Sequence, residues 1–419
     1  MSIPLDRLYQ FIEDIAQHIF EDRVIIYRFY PHGSKNVENM MPLRNENWQD
    51  VQLSPSVYCN DQEPLDYNYY ATVKREKIPP WPRVSPHFIK NSSVYEKHLL
   101  LHSERQSANV KQYQQDQFIP VYWWSHAVIA LDWFRYARHV ELKKQSKKTF
   151  LVYNRAWSGT REYRLRFAEL LVQLNLQDSC QITVNPVEPE LGIHYDCHKF
   201  NNPAWRPQTV LENHFTINKT PSHYSADFDA DDYSATDIEV VLETLFDDTR
   251  LHLTEKSLRP IAMGQPFVLA ATAGSLEYLR SYGFKTFGSI WDESYDLVTD
   301  PTERLIQITE LMKYISTWLP YRRERNIAEA QAIAEYNRQH FFSDEFFNQV
   351  VGELTANLTT AFKEVEHTKN YQYWLDRWDT TLSDLDVLKV VTEELQLNKP
   401  TLSAIDNIKS LINHKLNPD

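Results

Sequence analysis

The sequence predicts an α/β protein. Three features carry that prediction: β-branched runs ending in polar residues, helical periodicity between them, and a second strand–helix series that begins after a charged break. At 419 residues the chain exceeds one ordinary core, so two domains or more are expected. Apolar residues at 42% and charged residues at 24% place it among ordinary globular chains rather than disordered ones. No stretch approaches the roughly 20 apolar residues needed to span a bilayer, so no membrane partner is expected.

Residues 5–21 place Leu5, Leu8, Phe11, Ile12, Ile15 and Ile19 at helical spacing. The run Val24 to Tyr30 then reads as a buried strand stopped by Pro31 and Gly33. Val57-Tyr58-Cys59, Leu99-Leu100-Leu101 and Ile119 to Tyr122 read as further short strands. The first two run into Asn60-Asp61-Gln62-Glu63 and His102-Ser103-Glu104. Open α/β sheets place ligands at such carboxyl ends. Residues 74–86 form a Pro-rich basic loop without periodicity.

The break falls at Lys143–Lys148, and Phe150 to Tyr153 opens the second series. A helix over 161–176, a strand over 181–184, a polar stretch to Gln208 and a strand over 238–242 follow. A helix over 255–263, a strand over 266–270 and a helix over 276–282 come next, and helical sequence continues from Pro301. The pattern suggests two Rossmann-like domains facing a cleft, over 1–145 and 146–300, and a helical region over 301–419 packing across both.

Three cysteines point to a reducing compartment, and the N-terminus, with three acids among its first 17 residues, lacks a secretion-signal core. A cytoplasmic protein is expected. The net charge of −13 argues against a dedicated nucleic-acid binder, yet residues 135–166 hold ten Lys/Arg against Glu141 and Glu162. That band is either a local anion site or a solvated helix face, and charge alone leaves both open. The eight glycines form neither GxGxxG nor GxxxxGK[ST], so phosphates would have to be held by side chains and a helix N-terminus.

Such a terminus is readable at 251–267. Thr254 can cap a helix through its hydroxyl and Gly264 can end it in a left-handed turn. Lys256 and Arg259, three apart, would share a face beside free backbone N–H groups, forming an anion cradle. Glu255 would repel phosphate and suits the hydroxyls of a ribose instead. The same residue types also fit an ordinary capped helix with a surface Glu–Lys pair.

The T-E-K-x-x-x-P-I-x-x-G-x-P-F pattern over 254–267 resembles the donor segment of GT-B glycosyltransferases, especially the fucosyltransferase type. Phe150 to Arg164 resembles the strand and basic loop that open the donor domain there. The segments at Asn60–Leu65, His102–Glu104 and Trp123–Ala127 resemble glycosyltransferases encoded by tailed, T-even-like bacteriophages, which glycosylate hydroxylated cytosines of their own DNA. Together these cover about residues 55–290. The resemblance implies a GT-B-like fold and a nucleotide-sugar donor, UDP-linked for preference, held without a metal by Asn154, Arg155, Arg161, Thr254, Glu255, Lys256 and Arg259. It implies hydroxymethylcytosine-type DNA as acceptor, with Lys74, Arg75, Lys77, Trp81 and Arg83 on the DNA side and Trp81 or a neighbour filling a vacated stack. A saccharide or protein acceptor, or a non-catalytic nucleic-acid-binding protein of the same fold, are the alternatives. The chain departs from the retaining pattern of two glutamates seven apart, which leaves the stereochemistry open.

Transfer to a hydroxyl needs a base beside the anomeric carbon. Asp61 and Glu63 come first because they follow a strand end, although an Asp/Glu turn before Pro64 explains them equally well. Glu104 and His102 come second. His126, beside Trp123 and Trp124, reads as a packed histidine. The acidic run Asp227 to Asp232 has the DxD look of metal-dependent transferases, but its polar setting favours a solvated loop. His194 and His198 with Cys197 lack the second ligand pair that a zinc site needs.

Overall fold

The computed structural model describes residues 4–19, 25–29, 40–42, 56–60, 98–103, 105, 121–189, 191–216 and 226–367. The chain divides into two compact units. One comprises Met1–Phe11, Ser103–Val110 and Trp123–Thr355; the other comprises Ile12–His102, Lys111–Tyr122 and Ala356–Asp419. The protein is α/β. Among the described residues no helix is long and apolar enough to cross a membrane.

The chain opens on α1 (Pro4–Ile19), which buries Leu8, Ile12 and Ala16 on the face that the periodicity picks out. A five-stranded sheet follows, built from β1 (Ile25–Phe29), β2 (Met40–Pro42), β3 (Ser56–Asn60), β4 (His98–His102) and β5 (Val121–Trp123), in the order β2-β1-β3-β4-β5. β3 runs parallel to β1 and β4, in registers such as Ile26↔Val57 and Tyr58↔Leu100, while β2 lies antiparallel on the outer side of β1. Ile26, Val57, Cys59 and Leu101 are buried, as expected for strands covered on their faces.

The other unit is built on a four-stranded, wholly parallel sheet of β6 (Lys148–Val152), β7 (Cys180–Ile182), β8 (Thr236–Leu242) and β9 (Phe267–Ala270), in the order β7-β6-β8-β9. The chain leaves β6 toward one side, to β7, and returns to the other side at β8. The two crossovers therefore run in opposite directions, and right-handed crossovers put their helices on opposite faces. α3 (Tyr163–Gln173) covers one face with α7 (Pro301–Ser316) packed on it. α5 (Glu255–Met263) covers the other, against α2 (Ala127–Trp133) and α8 (Pro320–Phe341). α4 (Ala230–Ala235) leads into β8, α6 (Ser275–Ser281) follows β9, and α9 (Asp344–His367) comes last.

Every residue of β8 is buried, its acids Asp237 and Glu239 included, and a further buried acid, Glu243, follows the strand directly and aligns with Glu239. Being four apart on a period-two strand, Glu239 and Glu243 share one face. Both hold α5. Glu239 accepts from Arg259 (Nη2 to Oε1, 2.5 Å), whose guanidinium also lies 4.4 Å from the Tyr153 ring centroid. Glu243 holds the helix's first turn, as described below. The helix itself follows local rules: the Thr254 hydroxyl accepts from the Lys256 amide (3.2 Å), and Gly264 closes the helix at φ 68°.

Four elements among the described residues depart from the sequence reading, two of them, β2 and α4, lying where no strand or helix is expected. Ala127–Trp133 is a helix that periodicity does not reveal, because Ala127 to Ala130 are buried without a polar face. The helix expected over 161–176 begins at Tyr163, after a 3-10 turn over Gly159–Arg161, and ends at Gln173. The helices expected to continue to Asn417 lie outside the described residues beyond His367.

Candidate functional site

The reversal of strand order between β6 and β8 creates a topological switch point at their carboxyl ends. This is where open parallel sheets leave a crevice between oppositely directed loops. The residues there are Tyr153 to Arg161 from the β6 loop and Glu243 to Phe246 from the β8 loop. Arg164, buried at the start of α3, ties the two strand ends together. Its guanidinium donates to the carbonyls of Ala156 (2.6 Å), Leu242 (2.6 Å) and Glu243 (3.2 Å), and the Tyr163 hydroxyl donates to Glu243 O (2.7 Å). The frame of the crevice is thus fixed by groups inaccessible to a ligand.

Asn154 stands two residues past β6 and is 6% exposed. Neither its Oδ1 nor its Nδ2 has a hydrogen-bond partner in the protein. Three residues past the neighbouring β7, the Asn185 Oδ1 is likewise buried and unpartnered. Buried amides are nearly always paired, so the Asn154 carboxamide, without a partner among the described residues, leaves hydrogen-bonding capacity at the switch point that a ligand or a water can take up. Arg155 and Arg161 flank it, both half-buried. Arg161 donates to Ser158 O (3.2 Å) and so stays on this loop.

The N-terminus of α5 differs from the sequence expectation. Glu243 is fully buried. Its Oε1 accepts from Thr254 N (2.9 Å), Ser257 N (3.2 Å) and Ser257 Oγ (2.6 Å), and its Oε2 accepts from Thr254 Oγ1 (2.8 Å) and Thr244 N (2.9 Å). The protein's own carboxylate therefore occupies the position that the expected anion cradle would give to a phosphate, and the Lys256 amide is already capped by Thr254. The amides of this turn are not free. Arg259 is corrected in the same way. It is 3% exposed and is spent on Glu239, because an Arg three residues after Lys256 falls on the face that α5 turns toward β8. Its guanidinium is driven above its ordinary pKa: burial alone would lower it, but Glu239 and the neighbouring tyrosines outweigh that.

Glu255 and Lys256 sit at the edge of this cluster. Lys256 Nζ donates to Glu255 Oε1 (2.8 Å) and Thr254 Oγ1 (3.2 Å). Burial would raise the Glu255 carboxyl, but the charge of Lys256 and the nearby His126 hold it well below the usual carboxylate range. His126, read from the sequence as packed, stacks on Trp124 (4.7 Å, 15°) and meets His252 edge-on (4.5 Å), with its Nδ1 3.6 Å from Glu255 Oε2. Glu255, Lys256, His126 and His252 thus form one cluster of ionisable groups, a gathering unreadable in sequence because Lys256 lies 130 positions after His126. A signal was nonetheless present for Glu239 and Glu243: two acids inside an apolar strand run must each be paired.

Part of the basic band over 135–166 bonds within the protein, while Arg138, Lys143, Lys144 and Lys147 remain exposed. Arg135 donates to Asp132, Arg138 to Phe342 O, Lys144 to the carbonyls of Tyr233 and Thr236, Lys148 to Asp178 O, and Arg166 to Glu169. The acidic run 227–232 caps α4, with Asp229 accepting from the Asp231 amide and Asp232 from the Tyr153 hydroxyl. His194 binds Glu212, and His198 binds Glu162, whose carboxylate also takes the amides of Asn201 and Asn202. Asp61, Glu63, Glu104, Lys74, Arg75, Lys77, Trp81 and Arg83 lie outside the described residues, and so does the side chain of His102. No protein-family model, curated protein or solved structure matches this chain, so what the site does is argued from its own geometry.

Proposed function

We propose that this chain is a glycosyltransferase of GT-B-like organisation that takes its sugar from a nucleotide diphosphate sugar, bound at the carboxyl ends of β6 and β8. One observation carries the reading: the buried, unpartnered carboxamide of Asn154 at the switch point of a parallel sheet. A carboxamide offers a donor and an acceptor side by side and suits a polar, planar or polyhydroxylated ligand group. Arg155 and Arg161, on the same loop, supply positive charge for a diphosphate. Lys256 adds to that field from the edge of α5, with its charge partly balanced by Glu255.

In the reaction, an acceptor hydroxyl oxygen bonds to the anomeric carbon as the bond to the diphosphate oxygen breaks. The electron pair leaves with the diphosphate, and the hydroxyl proton passes to a base. Stabilising the leaving group electrostatically is the work assigned to Arg155, Arg161 and Lys256. Asp61 or Glu63 is assigned the proton. For the acceptor the reading is DNA bearing hydroxylated cytosine. The residues assigned to DNA are those of the 74–83 loop, with the exposed Lys143 and Lys147 of the 135–166 band adding positive charge.

The test is a thermal-shift and calorimetric screen of UDP, GDP and their sugars, followed by transfer of a labelled sugar to hydroxymethylated, hydroxylated and plain DNA. Stabilisation by one nucleotide, lost on Asn154→Leu, supports the donor site. Transfer to modified DNA alone supports the acceptor. If no diphosphate nucleotide binds, the donor reading fails; if a donor is consumed but no DNA is labelled, the acceptor is a saccharide or protein.

A further inference from the structure

A second site lies beside β9, the edge strand, away from the ends of β6 and β8. The loop after α6 runs along that edge. It starts at Phe287, whose ring packs edge-on at 5.1 Å against Phe267 at the amino end of β9, and reaches Asp296, whose carbonyl accepts from the Gly274 amide past the carboxyl end. Midway, the Leu269 amide donates to the Tyr295 hydroxyl (3.3 Å), so the loop covers the open edge of the strand. Between this loop and α7 is an open cleft of about 660 Å³, within the size range of small-ligand sites.

Its lining has a particular chemistry. Tyr314 is 43% exposed, and its ring is held by the Arg322 guanidinium, whose carbon lies 5.2 Å from the ring centroid. Trp291 lines the cleft with 3% of its surface exposed, and its indole N–H is buried without an acceptor. Glu310, exposed on α7, makes no side-chain hydrogen bond or ion pair among the described residues, and Gln307 one turn before it uses only its amide nitrogen there, on Glu303 (3.1 Å). No Lys, Arg or His lines the cleft, and Asp292 adds a second carboxylate.

These features choose a ligand class. Two carboxylates without a lining cation disfavour phosphate or any other anion. An aromatic ring for an apolar face, carboxylate and carboxamide oxygens for hydroxyl donors, and an indole N–H for an oxygen acceptor match a neutral pyranose. We propose that the cleft between the 288–295 loop and α7 is a binding site for a neutral saccharide, stacked on Tyr314 and hydrogen-bonded to Glu310, Gln307 and Trp291. It is separate from the donor crevice and does not rest on the function assigned there. In a sugar-transferring enzyme such a site would hold a glycosylated product or carrier near the protein, but the binding stands whether or not transfer occurs.

The full chain is titrated with glucose, N-acetylglucosamine and maltose, using saturation-transfer NMR and calorimetry, with spermidine and inorganic phosphate as charged controls. At least one sugar should bind with a Kd on the order of 1 mM, unchanged in about 0.5 M NaCl because the ligand is neutral. Tyr314→Ala should weaken it about tenfold or more and Glu310→Gln severalfold; both residues are exposed, and melting curves verify that the variants fold. Asn154→Leu should leave sugar binding unchanged. The proposal is overturned if none of the three sugars binds, or if binding survives Tyr314→Ala. It is overturned equally if spermidine competes and salt abolishes the signal, which makes this a cation site, or if Asn154→Leu removes the binding, which moves it to the donor crevice.

Discussion

Replacing Asn154 by leucine should make the unliganded protein more stable and the nucleotide bind worse. The side chain is 6% exposed and both of its polar atoms lack protein partners. Burying an amide without compensation costs about 1–3 kcal/mol on mutational scales. Leucine matches the branching and heavy-atom count of asparagine and has no polar atoms, so the substitution removes that cost, while its bulkier methyl groups offset part of the gain. A unit of this size gains roughly 2–4 °C per kcal/mol, so the melting temperature should rise by about 5 °C. Affinity should move the other way. Losing one or two neutral hydrogen bonds to the ligand, at about 0.5–1.5 kcal/mol each, weakens nucleotide binding about tenfold. Scanning fluorimetry with and without nucleotide reads both effects in one plate: the ligand-induced shift of wild type should shrink as the apo value climbs. A fall in apo melting temperature would refute the reasoning, because the carboxamide would then be serving the fold and not waiting for a ligand.

Glu243→Gln should cost about 2–4 kcal/mol, since an NH₂ placed among the hydroxyls and amides of Thr254, Ser257 and Thr244 gives donors facing donors; faster hydrogen exchange at Ser257 and Lys256 would show the first turn of α5 loosening. Lys256→Ala should weaken a diphosphate about tenfold in calorimetry while sparing the nucleoside. Glu255→Ala should hurt both ligands and also lower stability by about 2–4 kcal/mol, because it strips the counter-charge from a side chain that is only 12% exposed. Burial raises the Asp296 carboxyl from 3.8 to about 6, against the hydrogen bond it accepts from the Leu276 amide. The folded protein therefore keeps a proton that the unfolded chain releases, and stability falls as pH rises through that window. Asp296→Asn should lack this fall, so its advantage over wild type in urea denaturation should grow from pH 4 to 6 and level off above about 7.

The sequence was most legible where rules are local. The helix over 255–263, its Thr254 cap and its Gly264 stop match the structure because each depends on residues within one turn. The parallel strands of both sheets were visible as short apolar runs, within two or three residues at each end. The partners of charged residues were not legible. Arg259 and Lys256 are three apart in sequence, but one faces β8 and the other the helix edge, and only the orientation of α5 on the sheet decides which. Arg138 and Phe342 meet across 204 residues, and Glu162 finds Asn201 and Asn202 at the end of a long excursion. A basic band or a polar stretch cannot report such pairings, so a charge count overstates how much of it faces a ligand.

Glu243 carries the consequence furthest. A helix N-terminus at the carboxyl edge of a parallel sheet attracts anions because its first amides lack partners. Here a glutamate placed directly after β8 reaches those amides first, and it does so fully buried, accepting from two hydroxyls as well. A carboxylate so bound cannot be displaced by a phosphate without exposing the hydroxyls and amides it satisfies and leaving two negative charges competing for one turn. On the donor site proposed above, phosphate binding at this sheet is assigned to the loop after β6, where Arg155 and Arg161 lie and Asn154 lacks a partner among the described residues. The α5 terminus keeps a different task. Clamped by Glu243 and Glu239 from one face of β8, it fixes Glu255 and Lys256 at a constant height above the sheet, which is what positioning a ribose and trimming the field around a diphosphate require. The division of labour follows from one residue: with Glu243 in place, α5 orients and the β6 loop binds charge.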